Sequence, residues 1–167
     1  EVKFTEVEFG RCSRPGLKPK EFGYAMDHCD GSFSVQRDRQ SRCSLKEKGI
    51  LYWQFVPEFF RWSATEDHRP CPLAFTYQLV RNVLAVCVSE DGTPGADRGH
   101  VLVVYDERNP AFRPGGEADA AWWAAVRALR FPRLLRRVSW QRVASHLAQF
   151  PDLAWLTVGL RDKYGMK

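Results

Sequence analysis

Apolar and polar positions alternate at the start of the chain: Val2 and Phe4 fall on one side of an extended segment, Glu1 and Lys3 on the other. This predicts a strand over residues 1–8. Periodicity then disappears. Residues 11–48 are rich in Gly, Pro, Ser and charge and hold Cys12, Cys29 and Cys43. A structureless loop of that length is unusual inside a compact domain, so the stretch is expected to be a functional insertion or to be pinned by long-range contacts. Residues 50–62 carry six aromatics, Tyr52, Trp53, Phe55, Phe59, Phe60 and Trp62. Core or cover packing accounts for them, and base stacking is the sharper alternative.

Pro70-Cys71-Pro72 punctuates the chain, and residues 73–88 follow as a predicted helix with Pro72 near its first turn. Apolar residues surround most of it, which predicts burial. Gln78, Arg81 and Asn82 form its one polar stripe. After a turn-rich loop, the continuous apolar run of residues 101–105 predicts a central strand buried on both faces. A second loop (Asn109-Pro110, Pro114-Gly115-Gly116) leads to a helix over 118–129 and a strand over 134–138. Ser139 is placed to cap a helix running to about Gln149, and Pro151 opens a last helix ending near Gly165. Strands alternating with helices argue for an α/β fold.

Composition narrows this only modestly. The 167 residues (19.2 kDa) are 44% hydrophobic and 27% charged, enough for a buried core. No apolar run approaches the roughly 18 residues of a membrane span, so no membrane partner is expected. Charge is more informative in its distribution than in its total of +5. From Ala120 to Pro151 there is no acidic residue, while Arg127, Arg130, Arg133, Arg136, Arg137 and Arg142 all lie there. Such a run can track phosphates or simply be a solvated face. Five spread cysteines do not suggest a disulfide framework, and a reducing cytoplasm is the expected setting. No Ser-His-Asp spacing or Gly-rich phosphate loop is present. His100 and His146 are expected to be structural, and Asp106, Glu107 and Arg108 to form a surface ion pair rather than assist a site.

A carboxylate beside an ammonium on one strand face suits metal-assisted hydrolysis: the carboxylate holds Mg²⁺, and the lysine positions a water and offsets developing charge. With Glu1-Val2-Lys3, the helix bearing Gln78, the strand 101–105 and the element Leu135-Arg136-Arg137-Val138-Ser139-Trp140, the chain resembles the PD-(D/E)XK (restriction-endonuclease-like) nuclease superfamily. In particular, the opening segment resembles a bacterial branch of this superfamily with a strand of the form Glu-Val-Lys-Phe-Thr-Glu. The resemblance implies a partial nuclease core, a mixed central sheet flanked by helices, within one domain over 1–167. That domain divides into a Cys- and aromatic-rich insertion (9–70) and a helix-strand-helix-strand-helix-helix portion (71–167).

It further implies Mg-dependent cleavage of nucleic acid, DNA first. Glu1 would be the metal ligand, Lys3 the water-orienting cation and Gln78 a supporting residue. The family's metal-binding Asp and its first helix and two strands lie upstream of the Glu-x-Lys strand. A chain opening inside that strand is therefore expected to be the C-terminal part of a longer, N-terminally truncated fold, with little catalysis of its own. Some branches hold an iron–sulfur cluster by cysteines, which marks Cys12, Cys29, Cys43 and Cys71 as a possible second metal site. A zinc site using His28 or His68 is the other version, although no Cys-x₂₋₄-Cys pair is present. Cys87 is assigned to packing. Two further readings stay open: a catalytically inactive nuclease-fold module that binds nucleic acid or protein, and a metal-stapled structural or regulatory protein.

Overall fold

The computed structural model describes residues 2–3, 7–16, 28–34, 43–47, 50–62 and 67–165. Three strands and six α-helices are formed among them. In chain order they are β1 (Val2–Lys3), α1 (Ser44–Glu47), α2 (Val56–Phe59), α3 (Leu73–Cys87), β2 (Val101–Tyr105), α4 (Glu117–Ala128), β3 (Leu135–Ser139), α5 (Trp140–Leu147) and α6 (Ala154–Tyr164). The sheet order is β1-β2-β3, and both pairings are parallel. Parallel neighbours need crossovers; α3 supplies the first and α4 the second. The fold is thus α/β, as the alternating pattern implies. The sheet is not mixed among the described residues, because each strand is followed by a helix before the next strand returns.

Two expectations of complete burial fail for one reason. On β2, Val101 and Val103 are buried while Leu102 is 40% exposed. On α3, Leu79, Val80, Val83 and Leu84 are fully buried, yet Val86 is 38% exposed and Ala85 faces solvent. The α3–α4 layer covers the face of the sheet that carries Val101 and Val103, so each element has one wet side despite its apolar sequence.

The N-terminal stretch is held by long-range contacts. Of the predicted strand 1–8, Val2–Lys3 is strand, and residues 7–9 are bends. The loop that follows runs along α3: the Phe9 carbonyl accepts from the Gln78 N–H at 3.2 Å, and the Cys12 N–H donates to Ala74 O at 3.0 Å. Phe33 and His68 form an antiparallel bridge, and the Cys71 N–H donates to Gly31 O at 2.7 Å. Phe9, Phe33 and Leu45 enter the core. The aromatic segment is also core: Trp53, Phe59 and Phe60 are buried, Trp53 stacks on Tyr77 and Phe60 on Trp62. Core and cover packing therefore accounts for these rings, with Tyr52, Phe55 and Trp62 partly buried against the core.

At the other end, the Ser139 side chain accepts from the Arg142 N–H and caps α5. Gly165 takes a left-handed conformation (φ 60°) after α6, the usual glycine stop.

Candidate functional site

Glu1 lies outside the described residues. Lys3 sits on β1 in register with Tyr105, and Val2 with Val104, so β1 is laid directly beside the C-terminal half of β2. Gln78 is half-buried on α3 and packs against Gly10. Gly10 has φ +63°, and a Cβ there would lie 3.3 Å from Gln78 Oε1. Glycine therefore serves both the backbone turn and the close approach of the loop to this helix.

Just past β2, Asp106 is 7% exposed and fully engaged. Its Oδ1 accepts from the Arg108 N–H and Nε, both at 2.9 Å, and from Gln141 Nε2 at 2.7 Å. Its Oδ2 accepts from Arg108 Nη2 at 2.6 Å. The Arg108 bonds, with Gln141, hold the carboxyl well below the usual carboxylate range, against the opposing effect of burial. Arg108 also donates to the carbonyls of Tyr164 and Gly165, tying the end of α6 to the end of β2. Both Asp106 oxygens are committed to these donors, so this carboxylate does not fit a metal ligand. It is an ion pair between a buried carboxylate and an exposed guanidinium.

The arginines differ in their surroundings. Arg127, Arg130, Arg133, Arg136 and Arg142 are exposed. Arg130 Nε hooks the Pro57 carbonyl at 2.8 Å. Arg137 is turned inward: Nη1 pairs with buried Asp119 at 2.9 Å, and its guanidinium lies 5.2 to 5.8 Å from the rings of Trp122, Trp123 and Tyr105. Its charge is used within the fold. Arg133 and Arg136 instead line an open cavity of about 200 Å³ with His100 and Asp97, at the opposite end of the sheet from Asp106. His100 therefore has a place in a polar pocket that sequence reasoning did not give it.

The cysteines converge. Cys12, Cys29, Cys43 and Cys71 all line one small cavity of about 20 Å³, with Pro15, Phe33 and Leu73. Burial, added to by neighbouring thiols, pushes the Cys12 thiol up, Cys43 to about 11 and Cys71 to about 12. Neither His28 nor His68 lines this cavity. As the side chains stand, no group of three or more His, Cys, Asp or Glu among the described residues is spaced to hold a metal ion. Cys87 is buried on α3 away from the cluster, in the packing role expected of it.

Among the described residues no helix is long and apolar enough to cross a membrane. No curated protein and no solved structure matches the chain at a significant level. A family model described as Restriction Endonuclease associating with ARP matches residues 1–165. That match spans nearly the whole chain, and the chain belongs to this restriction-endonuclease family.

Proposed function

We propose that this protein takes part in metal-dependent hydrolysis of nucleic-acid phosphodiesters, as a PD-(D/E)XK-type nuclease acting on DNA. The observation that carries the reading is the parallel register of β1 with β2, Lys3 beside Tyr105, inside a family match covering nearly the whole chain. Glu1 is the metal-binding carboxylate of the proposal, and a bound Mg²⁺ would supply Lewis-acid polarisation of the phosphate. Lys3 orients the attacking water and offsets charge developing on the phosphate. Gln78, packed against the loop that leaves β1, supports the position of that strand. The exposed arginines Arg127, Arg133, Arg136 and Arg142 hold the nucleic-acid backbone, whereas Arg137 is assigned to the fold.

The test is cleavage of supercoiled plasmid and of RNA by the full-length protein, with Mg²⁺ or with EDTA. Lys3→Ala should lower the rate by about 100-fold or more with little change in substrate binding. Equal cleavage by the variant, or cleavage indifferent to EDTA, would remove Lys3 and the metal from the mechanism.

A further inference from the structure

We propose that Cys12, Cys29, Cys43 and Cys71 form a tetrathiolate site for a single zinc ion. The four residues come from four separate segments between positions 12 and 71, and all reach one cavity. That cavity has room for about one water-sized sphere. It suits a single ion and is too small for a multi-iron cluster with its bridging sulfides.

The backbone meets one of the sulfurs directly: the Gly31 N–H donates to Cys29 Sγ at 3.4 Å, while the Cys29 thiol donates to Ser32 O at 3.8 Å. An N–H aimed at a sulfur gains strength when that sulfur becomes a thiolate, because it then serves as part of the outer shell of a fixed negative charge. Gly31 reaches it with φ +82°, which an L side chain rarely adopts. Backbone bonds hold the segments around the cavity: the Cys71 N–H donates to Gly31 O at 2.7 Å and the Cys12 N–H to Ala74 O at 3.0 Å.

As they stand, the four side chains line one cavity but are not spaced as a closed ligand set. On binding a divalent cation each sulfur would release its proton to solvent and gain a metal bond, and the Gly31 N–H is already aimed at the charge formed on Cys29. The two histidines are not in the cavity lining, so the ligand set is sulfur alone. The regular structure described between positions 12 and 71 comes in short pieces, the turns Arg14–Gly16 and Leu51–Phe55 and the four-residue α1 and α2, and a structural ion would staple them.

Metal uptake is measured without substrate, so the test stands apart from the nuclease reading. Protein purified anaerobically should contain about one equivalent of zinc. Metal-free protein titrated with Co²⁺ should take up about one equivalent and show the visible bands of a tetrahedral ion with sulfur-to-cobalt charge transfer. Cys43→Ser and Cys71→Ser should each lose that spectrum, while Cys87→Ala, in the same helix as the cluster's neighbour Leu73, should keep it. If the serine variants fail to fold, thiol counting on the parent decides: four thiols should be protected with metal bound and become reactive after chelation. Iron with acid-labile sulfide, disulfides among the four residues, or no Co²⁺ uptake would each overturn the proposal.

Discussion

Replacing Asp106 tests whether the end of β2 is structural or chemical. The carboxylate is 7% exposed and accepts from the Arg108 backbone, the Arg108 guanidinium and Gln141. Breaking a fully buried pair costs about 3–5 kcal/mol, whereas an exposed pair contributes about 0–1 kcal/mol. The Arg108 side chain is 52% exposed, so the freed guanidinium regains water and the cost falls between these limits. Asp106→Ala should therefore lose about 2–3 kcal/mol, chiefly from the orphaned Gln141 amide, the Arg108 N–H and the broken tie to α6. Asp106→Asn keeps one acceptor and should lose about 1–2 kcal/mol. At roughly 2–4 °C per kcal/mol for a domain of this size, Asp106→Ala should melt about 4–12 °C lower.

The pH dependence has a definite sign. The folded carboxyl titrates below its unfolded value of about 3.9, so its contribution is complete above that pH and is lost as pH falls through the folded value. The gap between parent and Asp106→Ala in urea titrations should hold from pH 7 to about 5 and then narrow in acid. A stability change under 0.5 kcal/mol for Asp106→Ala at pH 7 would refute the ion-pair assignment. So would a loss of cleavage in Asp106→Asn without any loss of stability.

The inward arginine gives a second check: Arg137→Ala leaves Asp119 buried without its guanidinium and strips a cation from three rings, so it should cost about 2–4 kcal/mol in a denaturant titration. Arg137→Lys should recover only part of this, since a point charge cannot replace the planar group. The exposed pair gives the opposite signature. Arg133→Ala with Arg136→Ala should leave stability within about 0.5 kcal/mol, yet reduce the salt dependence of DNA affinity by about one unit of slope for each phosphate that is no longer neutralised; an unchanged slope would take the nucleic acid off this end of the sheet.

Periodicity in the sequence located the elements from α3 onward because each has a local cause: the apolar stripe of α3, the run of β2, the Ser139 cap and the Gly165 stop. It misjudged burial because a continuous apolar run does not say which neighbour covers it. Leu102 and Val86 are as apolar as Val103 and Val83, and only the position of the helical layer separates them. Arg137 was legible in principle. Strand alternation puts it on the same side as Leu135 and Ser139, both buried, and Asp119, Trp122 and Trp123 stand at the spacing of one helix face. Counting charge along the chain hid that alternation.

The cysteine cluster defeats linear spacing for a different reason. Paired Cys-x₂₋₄-Cys knuckles are visible in sequence because both ligands share one turn. Here each ligand has its own turn, and tertiary hydrogen bonds bring the turns together: Cys71 to Gly31, Cys12 to Ala74, Phe33 to His68. Those same bonds link the cluster to the Glu-x-Lys strand. The Cys12 N–H binds Ala74 O, and about one turn further along α3 the Gln78 N–H binds Phe9 O, in the loop that leaves β1. An ion held by the four thiols would therefore fix the start of α3 against the loop that carries Lys3 into register with Tyr105. The enzymatic and metal-stapled readings then describe one device rather than two rivals. Removing the ion should loosen β1 before it melts the α3–α4 core, because Leu79, Val80, Val83 and Leu84 are fully buried further along α3 than its start, where Cys71 lies.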